Sequence, residues 1–331
     1  MSPLAPVFFL VALALFFDFL NGMHDAANEI AIVVSTRVLS PRQAVIWAAG
    51  FHMAAALGFG VHVADTIGRG LISPSVMDNS VIFGALVGGA FWNWFTIRLG
   101  IPVSSSHSLI GGLIGAAAAK AGFSCLLPKG LSITLAFMII SPVIGLVFGY
   151  GLMIAVYWIF RYKSPRQTDT LFRVGQLISS GFLSLAHGLN DAQKTMGLIA
   201  MLLFSNGLLG AKFHIPYWVI ISCYAVISLG TLAGGWKVVH TVGQRVTKLR
   251  PAGGFCAQTG SGLCIFLCSL AGIPVSTTHV VTGALMGVGS TQRLSAVRWG
   301  VAGRILWAWL LTIPCAAAVA ALSYMALHLL I

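Results

Sequence analysis

The sequence predicts an all-α polytopic membrane protein, arranged as an inverted-topology repeat with two re-entrant helical hairpins and interrupted helices. Three observations carry this prediction. Of the 331 residues, 58% are hydrophobic and 8% charged, and the mean hydropathy is +0.93; a soluble core could not bury so much apolar surface, so stretches of about 20 apolar residues read as spanning helices. Residues 100–107 (GIPVSSSH) return almost unchanged at 272–279 (GIPVSTTH), offset by about half the chain. A second pair, residues 21–28 (NGMHDAAN) and 187–194 (HGLNDAQK), precedes them in each half.

In the first unit (1–160), the apolar patterning predicts helices over 4–36, 41–66, 79–98, 105–121 and 130–160. The run 4–17 has no Lys or Arg ahead of it and passes straight into the NGMHDAAN motif, so it reads as a retained helix rather than a secretory signal, interrupted at the motif. The third and fourth elements are joined only by Gly-Ile-Pro-Val. Taken as half-length arms, they form a re-entrant hairpin near 79–121, allowed at membrane depth where the tip is buried in protein or lines a cavity. Residues 161–170, with Arg161, Lys163 and Arg166 opposed only by Asp169, read as a cytoplasmic connecting loop. The second unit (171–331) repeats the order over 171–205, again interrupted, 216–240, 255–271, 277–290 and 296–329, with its hairpin near 255–290. Three true crossings per unit is an odd number, which inverts the second copy relative to the first.

Basic residues test that topology. Traced from the N-terminus, Arg37, Arg42, Arg161, Lys163, Arg166, Arg173, Arg245, Lys248, Arg250, Arg293 and Arg298 fall on one side, and only Arg69, Lys120, Lys129 and Lys212 on the other. The richer side is expected to be cytoplasmic, with both termini outside a cytoplasmic (inner) membrane. This distribution also accounts for the net charge of +12 without a nucleic-acid partner. The six cysteines include no CxxC pair, mostly lie in apolar runs and read as buried small side chains.

Ser104, Ser105 and Ser106, and Ser276, Thr277 and Thr278, each follow a Pro and open an apolar helix. A helix start offers unpaired N–H donors and a positive dipole end; with added hydroxyls it suits a tetrahedral oxyanion. Plain capping explains one such cluster, whereas two matched copies inside a membrane point to a shared site. In the second motif pair, His24 aligns with Asn190, Asp25 with Asp191 and Asn28 with Lys194. A carboxylate at that depth costs a few kcal/mol, about 2.5–3.5 on insertion scales, and so faces a partner, an ion or a water path. Oxygen ligands there suit sodium; the same Asp could carry a proton, and the residues leave that choice open. Lys194 either neutralises Asp191 or adds positive charge beside an anion. His24, next to Asp25, is a relay candidate, whereas His107 and His279 are expected to brace the tips. Gln176 and Gln258 are candidate substrate contacts, with packing hydrogen bonds as the plainer reading. No HExxH spacing and no committed nucleophile–base pair points to an enzyme, no cofactor is implied, and a passive anion channel would not need the paired carboxylates.

The paired GMHDAAN/HGLNDAQK and PVSSSH/PVSTTH motifs, in this order and over essentially the whole chain, resemble the inorganic phosphate transporter (PiT) family. The resemblance implies a secondary active symporter of inorganic phosphate, coupled to protons or sodium and forming a homodimer in the bilayer. It carries over a phosphate site at Ser104, Ser105, Ser106, Ser276, Thr277 and Thr278, and a cation site at Asp25, Asn28, Asn190 and Asp191. His24 stands where many members have Asn, similar to a bacterial subgroup associated with proton-coupled uptake of phosphate or neutral metal phosphate. Some relatives carry sulfate, which the same donors would bind.

Overall fold

A computed structural model describes residues 4–58, 60–245, 247 and 249–330. Twelve α-helices follow one another among these residues: α1 (Ala5–Ser35), α2 (Pro41–Ala54), α3 (His62–Arg69), α4 (Asn79–Leu99), α5 (Ser105–Ala121), α6 (Pro128–Ile159), α7 (Pro165–Ser205), α8 (Tyr217–Ala233), α9 (Trp236–Arg245), α10 (Pro251–Leu270), α11 (Thr277–Gln292) and α12 (Trp299–Leu330). The order long helix, bent pair, hairpin arm, hairpin arm, long helix occurs twice. Lys248, one of the charges used for topology, lies outside the described residues.

Three expectations are corrected. α1 and α7 run unbroken through both Asp motifs. Gly22 does not loosen α1 but lets the Ile227 carbonyl of α8 press against it, and Gly188 does the same for His52 of α2. The interruptions fall instead in the second element of each unit, where α2 and α3 are bent by 82° and α8 and α9 by 74°. Gly58 (φ +121°) and Gly234 (φ +66°) supply these breaks in a backbone region that L side chains avoid. The connecting loop is also shorter than expected, because Ser164 and Gln167 form a capping box with Pro165 at the first helical position and start α7 early. Ser40 and Gln43 start α2 in the same way.

The hairpin arms are longer than half-spans. With 21 and 20 residues, α4 and α10 each extend about 30 Å, enough to cross a hydrocarbon core. Their turns nonetheless end against Asp25 and Asp191, well inside α1 and α7.

The halves are interleaved: α5 packs on α12, α11 on α6, α3 on α7 and α9 on α1. Two small-residue seams make the first two contacts possible. Gly111 and Gly115 face the Ile313 and Ala317 backbone of α12, and Gly283 and Gly287 face Pro142 and Leu146 of α6; small residues four apart let helix backbones meet where lipid supplies no hydrophobic drive. Gly115→Val is therefore expected to cost about 1–3 kcal/mol by overpacking, seen as a lowered thermal midpoint in detergent, whereas Gly303→Val, on an open face of α12, leaves it in place. On α6 and α12, exposed Ile139, Val143, Val147, Trp307 and Leu310 face outward, as lipid contact requires. All six cysteines are free, five of them buried.

Asp78 caps α4, its Oδ1 accepting from Val81 N at 3.0 Å and its Oδ2 from Lys120 Nζ at 2.6 Å. Partial burial raises its pKa, but the Lys120 and backbone hydrogen bonds outweigh burial and hold it below the usual carboxylate value. Its stabilising effect is present above the unfolded-state pKa near 3.9 and is lost as pH falls through the lower folded value. Thermal unfolding of the wild type should therefore converge with that of Asp78→Asn at acid pH and exceed it near neutrality.

Candidate functional site

The two hairpin turns are built alike. Gly100 (φ +67°) and Gly272 (φ +70°) end α4 and α10 in the left-handed conformation, with Ile101 N donating to Thr96 O and Ile273 N to Cys268 O, both at five-residue spacing. Pro102 and Pro274 then forbid helix, and Ser104 and Ser276 sit in extended backbone as N-caps, accepting from His107 N at 3.3 Å and His279 N at 3.2 Å. Each turn is held from behind by the other half: Thr241 of α9 donates to Gly100 O at 2.9 Å, and Thr66 of α3 to Gly272 O at 2.7 Å.

The hydroxyls divide their work in matched pairs. Ser105 donates to Asp25 Oδ2 at 2.7 Å, and Thr277 to Asp191 Oδ2 at 3.2 Å. Ser106 reaches across to Val275 O at 3.3 Å, and Thr278 to Val103 O at 2.9 Å. The two tips therefore grip one another's backbone, and all six residues are buried. Ser104 and Ser276 perform the capping that the plainer reading assigned to them; the other four converge on one point from α5 and α11, whose N-terminal dipole ends meet there.

His24 and Asn190 share a task that their alignment did not reveal. His24 Nε2 lies 3.2 Å from Ile101 O and 3.5 Å from Val103 N, while Asn190 Nδ2 donates to Ile273 O at 3.3 Å and its Oδ1 accepts from Val275 N at 3.3 Å. Each clips its own turn. His24 additionally places Nδ1 2.8 Å from Asp25 Oδ1.

The carboxylates are not equivalent. Lys194 Nζ pairs with Asp191 Oδ1 and also reaches Ser106 Oγ at 2.5 Å and Val275 O at 3.0 Å, so a fixed ammonium stands beside both tips. At the matching position Asn28 Nδ2 donates to Thr278 Oγ1 at 2.8 Å, and its Oδ1 has no hydrogen-bond partner among the described residues. Asp25 thus lacks a tethered cation and Asp191 has one.

Gln176 lies away from the tips. Gln176 accepts from Thr36 at the end of α1, at 3.0 Å, and is fifteen positions, roughly 22 Å along α7, from Asp191; it is a packing contact in this conformation. Gln258 donates to Glu29 O at 3.2 Å. His107 and His279 face each other with ring centroids 4.4 Å apart, and His279 stacks on Trp309 at 3.6 Å, bracing the helices behind the hydroxyls. Arg98 lies over the Trp94 ring rather than toward the tips.

Asp18 and His52 escaped sequence reasoning. Asp18 is fully buried in α1, accepting from Thr195 of α7 at 2.9 Å. Glu29, His52 and His187 cluster beside the Asp pair, with His187 Nε2 2.8 Å from Asp191 Oδ2 and 3.8 Å from Asp25 Oδ2. Four-residue spacing was a usable signal for Asp25–Glu29 and His187–Asp191, which share helix faces. Nothing marked His52 beyond a histidine in an apolar run.

Comparison with known proteins places this geometry. The sequence profile of the "Phosphate transporter family" matches residues 21–320. A protein of Rhizobium meliloti (strain 1021) named "Probable low-affinity inorganic phosphate transporter" is 55% identical over 97% of this chain and 96% of its own length. A Bacillus subtilis (strain 168) protein of the same name is 41% identical over 97% of each. Among solved structures, "The sodium-dependent phosphate transporter" superposes with a TM-score of 0.88 at 26% identity, covering 98% of this chain and all of that one.

Proposed function

The chain belongs to the phosphate transporter family, and from that premise we propose that it is a proton-coupled symporter of inorganic phosphate in the cytoplasmic membrane, working by alternating access between inverted halves. Phosphate binds between the tips, replacing the Ser106–Val275 and Thr278–Val103 bonds with its own oxygens as acceptors. Ser105, Thr277 and Lys194 add donors, and the helix starts of α5 and α11 add favourable dipoles. A pocket of hydroxyls and one ammonium, with no bidentate Arg clamp, holds an anion that must leave again. The covers behind the tips come from opposite halves, α9 for the first and α3 for the second, so displacing one while the other stays exposes the site to one face at a time.

The observation that carries proton coupling is the set of groups around Asp25. It has imidazole nitrogens of His24 and His187 2.8 and 3.8 Å away, whereas sodium is held by a shell of oxygens. Asp191 already has its cation in Lys194, so one exchangeable charge at Asp25 offsets the incoming anion. Sodium is the second reading, supported by the unpartnered Asn28 Oδ1 and by the sodium dependence in the name of the structural neighbour. A homodimer, multi-pass with both termini outside, completes the proposal, its stoichiometry measurable by light scattering in detergent.

Proteoliposome uptake of radiolabelled phosphate tests the reading. A pH gradient alone is expected to drive accumulation, a sodium gradient alone is not, and inhibition by excess sulfate measures how far the same donors accept it. Omitting divalent cations leaves uptake intact for free phosphate and removes it if metal phosphate is the cargo. Ser105→Ala with Thr277→Val removes accumulation; uptake unchanged in that double variant would sink the tip site. His24→Asn, able to keep the clip that Asn190 makes, should retain binding but flatten the pH dependence.

A further inference from the structure

We propose that Glu29, His52 and His187 form a buried binding site for a divalent transition-metal ion of the zinc class. The residues come from three helices, α1, α2 and α7, and all are essentially inaccessible. Glu29 Oε1 lies 2.6 Å from His187 Nδ1 and 3.0 Å from His52 Nε2, and the two ring nitrogens are 3.2 Å apart. Neighbouring ligand atoms around a tetrahedral zinc with bonds near 2.0–2.1 Å stand roughly 3.3 Å apart, so this triangle is close to one face of such a shell.

The contacts are poorly explained as hydrogen bonds alone. Glu29 Oε1 is within reach of two ring nitrogens but has a hydrogen-bond angle to neither, and Glu29 Oε2 has no partner among the described residues. The two ring nitrogens are hydrogen-bonded to one another, and Glu29 Oε1 closes a triangle with them that a shared cation would fill. The far nitrogens fit the same reading. His52 Nδ1 is 3.3 Å from Thr231 Oγ1, an outer partner of the kind that fixes the tautomer and direction of a ligating imidazole, and His187 Nε2 has the Asp191 carboxylate 2.8 Å away as an ion-pair contact. Two imidazoles and one carboxylate select zinc, cobalt or copper over magnesium or sodium. A metal here joins α1 and α2 of the first half to α7 of the second.

The test does not depend on the transport reading, because it contains no phosphate. The full chain, purified in detergent and stripped with chelator, is titrated with Co2+ and then Zn2+. One Co2+ per chain is expected, with the visible d–d bands of a low-coordinate histidine–carboxylate site, displaced by Zn2+ and not by Mg2+. His52→Ala and Glu29→Gln should each weaken binding at least about tenfold, while Asp25→Asn retains it. Zn2+ should raise the thermal midpoint of the wild type and not of His52→Gln, which keeps a polar group for Thr231 and separates lost binding from lost folding. Absence of saturable binding, equal binding in His52→Ala, or loss in Asp25→Asn without loss in His52→Ala would overturn the site.

Discussion

Asp25→Asn is expected to abolish gradient-driven phosphate accumulation while leaving the chain folded. The carboxylate accepts from Ser105 at 2.7 Å and lies 2.8 Å from a His24 nitrogen, and an Asn in its place keeps an oxygen for Ser105. What it loses is the exchangeable charge. Removing charge-assisted hydrogen bonds of about 1.5–3 kcal/mol slows uptake roughly 10- to 100-fold, and accumulation against a gradient should disappear even where exchange of phosphate for phosphate persists. Uptake and counterflow, measured on the same vesicles, separate the two. Concentrative uptake at wild-type levels would remove Asp25 from the coupling role.

The largest stability effect is expected at Lys194. Lys194→Met strips the buried Asp191 of its ammonium partner and leaves its charge to Thr277 and the His187 ring alone, a loss of about 3–5 kcal/mol. Asp191→Asn combined with Lys194→Met removes both charges and should recover most of that stability. Phosphate binding should remain impaired in both variants, because Ser106 loses the ammonium 2.5 Å away. Thermal unfolding in detergent of the two single variants and the double one forms a cycle, and additive effects would show that Asp191 and Lys194 do not act as a pair.

Much of this arrangement was legible in the sequence because it depends on local chemistry. Gly-Ile-Pro-Val followed by three hydroxyls specifies a left-handed stop, a proline and an N-cap, and the structure builds both turns that way. The Asp motifs were found because carboxylates are rare in this chain. The division of labour was not readable: that His24 and Asn190 both clip turn backbones, or that Ser106 and Thr278 exchange carbonyls, depends on contacts between residues more than 75 positions apart. The helix breaks were misplaced for a related reason. Gly22 and Gly188 suggest loosened backbone by composition, yet close neighbours on α8 and α2 use them for packing, while the actual breaks fall at Gly58 and Gly234. Gln176 shows the limit of reading a lone polar residue, since its partner, Thr36, caps the C-terminal end of α1, eleven positions beyond Asp25.

The crosswise seating of α5 on α12 and α11 on α6 sets an order of assembly during synthesis. The helix carrying Ser105 and Ser106 emerges long before its glycine seam can close, because six helices stand between it and α12 in the chain. Until then Gly111 and Gly115 present bare backbone to lipid or to an insertase. A chain cut before α12 keeps its first hairpin without the face that Gly111 and Gly115 pack against.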